Sequence, residues 1–161
     1  MANLKVSITE EITLPNKNVE KTFNQAIISG VNQIARRIDT ITTDFSETGI
    51  EIIRFTNNES EQVAGSFVNT DVKYIRITNL DSTNYCTLYF IRTDAESALF
   101  KLDPNKSMML GNADFNASSP IDYVIDGFVD ETYYSSFVTL SVIKAKADTA
   151  NIQLEYFVAS A

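Results

Sequence analysis

The sequence predicts an all-β protein, a jelly-roll-like sandwich of two β-sheets with an N-terminal arm or short helix. β-Branched and aromatic side chains recur in short runs, which are typical of strands. Clusters of Asn, Asp, Ser and Thr separate these runs at about the 8–12-residue spacing found in sandwiches and barrels. After Gly49 no helical pattern of convincing length interrupts them. Together these observations predict roughly ten short strands that form two packed layers.

Residues 72–91 give the clearest strand pattern in the chain. Strand-forming side chains occupy 72–79 and resume over 85–92. Between them, Asp81, Ser82, Thr83 and Asn84 supply turn-forming side chains. The pattern predicts two antiparallel strands joined as a β-hairpin.

The N-terminal third is less uniform. Leu4, Val6 and Ile8 alternate with polar residues, which predicts a half-buried strand that ends before Pro15. Apolar residues between 23 and 41 are spaced 4, 4, 3, 4 and 3 apart, a helical stripe, but Gly30 and a Thr-rich exit oppose a helix. We therefore predict a short helix or an arm first and a strand over 33–42. The other predicted strands are 50–56, 63–68, 99–102, 107–110, 121–126, 137–144 and 152–158.

Nothing in the composition marks an internal domain boundary. There is no repeat, no low-complexity tract and no linker rich in Gly or Pro. We predict an N-terminal extension over residues 1–32 and one β-sandwich domain over residues 33–161.

The charge excludes several classes of partner. The formal net charge is −8, from 21 acidic and 13 basic residues. A protein that neutralises phosphates has the opposite balance, so we expect no nucleic-acid partner, and the acidity also disfavours an anionic membrane surface. The N-terminus has no apolar signal core, and no apolar run approaches the roughly 20 residues that span a bilayer. We expect synthesis in a cytoplasm without a signal peptide.

The residue types needed for common catalytic sites are scarce. The chain contains no His and a single Cys, so Ser-His-Asp triads, Cys-His pairs and His/Cys zinc sites are excluded. Cys86 lies within a strand pattern and is predicted to be a small buried core residue. The five glycines are isolated and form no phosphate loop. We predict no catalytic residue and no cofactor, and that the protein is not an enzyme.

Two acidic arrangements are weaker alternatives. Asp126 with Asp130 or Glu131 could form a carboxylate pair of the kind used in glycoside hydrolysis. The chain has no Trp to line a sugar cleft, which disfavours that use.

A group of three oxygen-bearing side chains resembles the start of a calcium loop. Asn112, Asp114 and Asn116 stand at alternate positions, but Ala117 and Tyr123 replace the Gly and Glu that such a loop requires. We predict an Asx-rich surface loop and no bound metal.

The aromatic residues are numerous for this length, and adjacent ones must point to opposite faces of a sheet. Rings outside the core suit a protein interface more than a sugar site, because Tyr is enriched in contact cores. The aromatics considered are Tyr85, Tyr89, Phe90, Tyr123, Tyr133, Tyr134, Phe137, Tyr156 and Phe157.

Two segments, VNQIARRIDTI and KYIRITNLDSTNYCTLYF, resemble small virion structural proteins of tailed bacteriophages, in particular the marine and cyanobacterial type. The shared pattern has a segment at 32–41, a hairpin at 73–84 and an L-x-P turn at 102–104, and it covers roughly residues 31–110. Such proteins decorate the capsid as cement proteins or form part of the neck and tail. They bring no catalytic residues to transfer.

The resemblance implies a non-enzymatic virion structural protein, and we expect a capsid decoration (cement) protein that stabilises the head by protein–protein contacts. Its expected partners are the major capsid protein or other virion proteins, and we expect a homo-oligomer such as a trimer. The alternatives are a neck or tail component, a carbohydrate-binding or adhesin module and, third, an enzyme with paired carboxylates.

Overall fold

The computed structural model describes residues 2–12, 20–43, 49–111 and 137–161, and in these ranges almost all regular structure is β. Two single-turn 3-10 segments, Glu59–Glu61 and Phe137–Thr139, are the exceptions. The all-β prediction is therefore confirmed. The strands are β1 (Ala2–Ile12), β2 (Glu20–Val31), β3 (Gln33–Ile41), β4 (Ile50–Thr56), β5 (Ser66–Val68), β6 (Val72–Asn79), β7 (Cys86–Arg92), β8 (Ser97–Leu102), β9 (Ser107–Gly111), β10 (Leu140–Ala147) and β11 (Ile152–Ser160).

The strands form two large sheets and one separate ribbon. One sheet has the order β5-β4-β10-β7-β8, and the other has the order β3-β11-β6-β9. The short strand β5 is parallel to β4, and the remaining pairings are antiparallel. Without β5, the eight sandwich strands follow chain order 2-7-4-5 in one sheet and 1-8-3-6 in the other. This is the strand order of a jelly roll, so the predicted sandwich is confirmed.

The core lies between the two large sheets. In β11, Leu154, Tyr156 and Val158 are buried in the same apolar cluster as Leu88 and Phe90 of β7 in the other sheet. Successive residues of a strand point to opposite faces, so this alternation gives each sheet one dry face. Phe90 is 1% exposed and meets Phe100 edge to face, with ring centroids 5.2 Å apart. Phenylalanine and tyrosine thus fill the large core positions in a chain without Trp.

The predicted hairpin over residues 72–91 has the right strands and the wrong pairing. β6 and β7 form as predicted, but they belong to different sheets. The Asn79 side chain is fully buried and donates to the carbonyl oxygens of Asn84 and Leu102, while the Asp81 carboxylate accepts from the backbone N–H groups of Thr83 and Asn84. These bonds shape a connection that crosses between the sheets. Turn-forming residues indicate where the chain turns. Which strands then pair is determined by the face that each strand must bury.

The short helix, one of the two alternatives predicted before residue 33, is wrong, because residues 20–31 form β2. The strand predicted over 33–42 is confirmed as β3. The helix-like spacing of the apolar residues does not reflect a helix. In β2 the neighbours Ile27 and Ile28 lie on opposite faces, as in any strand, and the first is exposed while the second is buried. Pairing of β2 with β1 and of β3 with β11 satisfies the backbone groups on one side of each strand.

Two other sequence predictions need adjustment. The strand predicted over 63–68 is confined to Ser66–Val68, and the strand predicted from residue 137 begins at Leu140 after a 3-10 turn. The strand predicted over 121–126 lies outside the described residues.

Candidate interaction surface

The strands β1 and β2 form a two-stranded antiparallel ribbon whose base packs on the outer face of the four-stranded sheet. Ile28 and Val31 of the ribbon are buried against Tyr74 of β6 and Ala159 of β11. Leu4 and Val6 of β1 are partly buried against the same cluster. The buried side of the ribbon is therefore the side that contains Leu4, Val6 and Ile28, because Leu4 is the direct partner of Ile28 in the register.

The opposite side of the ribbon is exposed and carries two large apolar side chains, one on each side of a polar Gln25–Ser7 pair. It contains Phe23, Gln25 and Ile27, which we call the ribbon face. Phe23 is 60% exposed and Ile27 is 65% exposed. A two-stranded ribbon is marginally stable in water without a packed face. Exposed apolar side chains that share one face of an element are a feature of interaction sites.

A second exposed apolar group follows β3 on the outer face of the four-stranded sheet. Ile34, Arg36 and Ile38 lie on this face, opposite Ala159, Phe157 and Glu155 of β11 in the register. We call these three residues the β3 strip. Ile34 is 58% exposed and Ile38 is 53% exposed, so the strip presents two isoleucines with an arginine between them.

An ion-pair network fixes the centre of the same face. The Glu155 side chain is only 8% exposed, and its two carboxylate oxygens each accept from one arginine. Arg36 Nη2 donates to Oε2 at 2.7 Å, and Arg76 Nη2 donates to Oε1. The hydrogen bond from Arg36 is the largest of the effects that lower the pKa of Glu155, while burial opposes it. The carboxylate is therefore ionised at neutral pH and holds both arginines across β3, β11 and β6.

Aromatic contacts support this network. Phe157 packs edge to face with Tyr74 at 6.1 Å between ring centroids, and the Arg76 guanidinium lies 5.8 Å from the Phe157 centroid. Arg76 thus contacts a carboxylate and an aromatic face together, an arrangement that keeps its side chain close to the sheet. The result is an ordered, mixed apolar and cationic surface next to the base of the ribbon.

The described residues include one thiol, which is buried, and no metal-binding cluster. Cys86 is fully buried, and burial raises the pKa of its thiol to about 12, so the reactive thiolate is suppressed. Across residues 2–12, 20–43, 49–111 and 137–161, no cluster of three or more His, Cys, Asp or Glu side chains could hold a metal ion. In those same ranges no helix is both long and apolar enough to cross a bilayer.

The candidate residues from the sequence are scattered in the structure, and those that it describes form no common site. Cys86 is in the core, as predicted. Tyr89 of β7 is only half-buried, on the face opposite Leu88 and Phe90. The carboxylate pair of Asp126 with Asp130 or Glu131 and the Asn112, Asp114 and Asn116 loop lie outside the described residues, as do Tyr123, Tyr133 and Tyr134.

Sequence reasoning missed the residues that define the exposed surface. The four-residue spacing of Phe23 and Ile27 fits one stripe of a helix. Their shared position on the exposed face of a strand was therefore not predicted. Glu155 stands between Leu154 and Tyr156 in an otherwise apolar run. A single buried acid in an apolar strand requires a basic partner. One partner of Glu155 is Arg36, which belongs to the adjacent basic pair Arg36–Arg37.

Comparison with known proteins gives no relative: no protein-family model, curated protein or solved structure matches the chain.

Proposed function

We propose that this protein is a non-enzymatic structural component of a tailed-bacteriophage virion, a decoration protein that cements the capsid through contacts with the major capsid protein. The observation that supports this best is the β1–β2 ribbon, which extends from a jelly-roll sandwich with Phe23 and Ile27 exposed. A rigid sandwich with an apolar arm is suited to bridging neighbouring subunits of a shell. The jelly roll is also a common architecture of capsid proteins, although fold alone does not assign function.

The chemistry of the chain favours a structural role over catalysis. Without His, and with its only thiol buried, the protein lacks the usual nucleophile and general-base pairs. The exposed side chains instead combine isoleucine, phenylalanine and arginine, residue types that suit protein contacts.

The repeated geometry of a shell would make modest contacts sufficient. The ribbon is narrow, so a single ribbon contact is small beside a standard-size protein interface. Symmetry repeats the same contact many times on one particle, and linked contacts bind far more tightly than isolated ones. A cement protein can therefore stabilise a head with an arm of this size.

The test is co-sedimentation of the purified protein with shells of the source phage that lack it. We expect saturable binding in many symmetry-related copies, and we expect Phe23→Asp to weaken it by about tenfold or more, because a charge replaces an interface aromatic. Leu99→Asp is the matched control: Leu99 is 59% exposed on β8, in the other sheet, and its variant should bind like the wild type.

Wild-type protein that ignores these shells would overturn the capsid assignment. Recovery of the protein with purified necks or tails would then indicate the tail-component alternative, and binding to host surface glycans would indicate an adhesin.

A further inference from the structure

We propose that the ribbon face of one copy, Phe23, Gln25 and Ile27, binds the β3 strip, Ile34, Arg36 and Ile38, of a second copy of this chain. The contact is head-to-tail, because it joins two different surfaces. It rests on the proposed function and specifies the role of the ribbon there: the ribbon joins neighbouring copies of this protein on the shell, and the linked copies contact the capsid protein. The contact is formed by the protein alone and can be measured without capsids.

The two surfaces match in spacing. Phe23 and Ile27 are four residues apart on the exposed side of β2, and Ile34 and Ile38 are four residues apart on the outer side of β3. At about 3.3 Å per residue, each pair spans about 13 Å along its strand. Two large apolar side chains on one strand can therefore meet two on the other, with Gln25 facing Arg36 at the midpoint.

The two surfaces do not meet within one chain. The ribbon turns its Leu4, Val6 and Ile28 side toward its own sheet, so Phe23 and Ile27 point away from that sheet. All four apolar side chains of the two surfaces are more than half exposed in the single chain. A second copy brings the missing counterpart to each surface.

The sheet already accepts a β-ribbon at the neighbouring position. Ala159, which is buried under the base of the chain's own ribbon, is the direct register partner of Ile34 in the β3 strip. The proposed contact therefore extends an existing ribbon-on-sheet interface by one strand. The packing mode is the one that the molecule uses internally at Ile28 and Val31.

Charge and hydrogen bonding at the midpoint support this pairing. The Arg36 side chain is 64% exposed although it pairs with Glu155, and it is the cationic centre of the strip. Gln25 donates through Nε2 to Ser7 Oγ at 3.5 Å, so its carbonyl oxygen is oriented by that bond and can accept from an arginine. The three ribbon-face residues carry no charge. Lys5 lies opposite Ile27 in the register, at one end of this side of the ribbon and two residues along the strand from the Ser7–Gln25 pair. The guanidinium of the strip therefore meets an acceptor at the midpoint.

Edge-to-edge pairing of β3 strands is disfavoured. In the part of the chain that the structure describes, β3 pairs only with β11, so its other side is the edge of the sheet. Arg37 and Asp39 lie on its core-facing side, and Asp39 accepts a 2.7 Å hydrogen bond from the Tyr156 hydroxyl. Inward-pointing charges protect sheet edges from strand addition. Antiparallel pairing of two copies about Arg37 would also place the two Arg37 side chains directly opposite each other.

A head-to-tail contact can be recognised by mixing two variants, each damaged on one of the two surfaces. Each copy has one ribbon face and one β3 strip, so copies close into a ring or grow into a filament. Phe23→Asp damages the ribbon face and Ile38→Asp damages the strip. We expect each variant alone to be monomeric in sedimentation velocity at micromolar concentrations where the wild type forms a discrete oligomer. Mixed together, they should form a 1:1 complex, because one intact ribbon meets one intact strip.

Leu99→Asp serves as the control and should assemble like the wild type. Circular dichroism verifies that each variant is folded, and Ile27→Asp and Ile34→Asp replace any variant that is not. A monomeric wild type, or an oligomer that survives both substitutions, would overturn the contact. Loss of assembly in the ribbon variant alone would also overturn it and indicate ribbon-to-ribbon packing.

The experiment separates this contact from the proposed function. An oligomer with the expected signature that does not bind shells would leave the contact standing and remove the capsid assignment. A monomer that binds shells would do the reverse.

Discussion

The sandwich and the ribbon are built from the same kind of strand but are stabilised differently. The sandwich has a continuous core to which both large sheets contribute, including side chains such as Phe90 and Leu154 that are at most 1% exposed. The ribbon contributes the buried Ile28 and Val31 and the partly buried Leu4 and Val6 to a small cluster on the outer face, and its far half exposes Phe23. The sandwich is therefore stabilised by its own core, whereas the stability of the ribbon depends on the surface that it contacts.

This difference assigns different roles to the two regions. Buried apolar area stabilises by about 25 cal/mol per Å², so the sandwich is the cooperative folding unit. The ribbon has hydrogen bonds along its length but little buried area beyond its base, which suits an element that completes its packing on a partner. The comparison can be tested by substitutions of the same kind in each region.

The largest effect is expected from Phe90→Ala. Phe90 is almost fully buried between the sheets and contacts Phe100, so the substitution removes a large side chain and leaves a cavity. We expect the free energy of unfolding to fall by about 3 to 5 kcal/mol, measured by urea denaturation. A loss below about 1 kcal/mol would mean that the sandwich core is far looser than its burial indicates.

A matched pair of glycines gives the next effect. Gly49 and Gly30 both adopt positive φ, +77° before β4 and +74° within the ribbon. A Cβ at Gly49 would collide with the Ala145 carbonyl oxygen of β10, whereas a Cβ at Gly30 meets nothing within 4 Å. Gly30→Ala therefore adds backbone strain alone, about 1 kcal/mol, and Gly49→Ala adds strain and a clash, about 3 kcal/mol. Equal losses in thermal denaturation would contradict the tighter packing of the sandwich.

Local sequence patterns predict most of the strands correctly, whereas the pairing between strands that are distant in sequence is not predicted correctly. Strands such as 72–79 are visible from composition, and the jelly roll follows from their number and spacing. The pairing of β6 with β11 and of β7 with β10 depends on contacts far apart in sequence, so the turn at Asp81 suggested a hairpin instead.

The surface was harder to predict than the fold, for a physical reason. Exposure of Phe23 depends on which side of the ribbon turns to the sheet, and a one-residue change of register would reverse it. The partnership of Glu155 with Arg36 and Arg76 joins three strands that only the folded topology makes neighbours.

A smaller effect is expected from Glu155→Gln. The change removes the charge that two arginines share, and because Arg36 is mostly exposed we expect a loss of about 1 kcal/mol at pH 7. The folded pKa of Glu155 lies below its ordinary 4.5, so its contribution is present above that pH and is lost as pH falls through the lowered value. Urea denaturation from pH 7 to pH 3 should show the wild-type and variant stabilities converging in acid.

The ribbon supplies the control for that substitution. Glu11 pairs with Lys21 at 3.4 Å, and both side chains are more than half exposed. Glu11→Gln should change the stability of the isolated protein at pH 7 by less than about 0.5 kcal/mol. A loss as large as that of Glu155→Gln would show that the ribbon ion pair is better shielded than its exposure indicates.

The smallest effect on stability is expected from Phe23→Ser, which removes the same kind of side chain as Phe90→Ala but from the ribbon face. Phe23 is 60% exposed, so the isolated chain gains little from its burial, and the free energy of unfolding of the monomer should change by less than about 0.5 kcal/mol. Urea denaturation at concentrations low enough to keep the protein monomeric measures this directly. Hydrogen exchange of the β1 and β2 amides on the same samples tests whether the ribbon stays paired. A loss comparable to that of Phe90→Ala would place Phe23 in a packed core and remove the physical basis for treating the ribbon face as a surface that binds a partner.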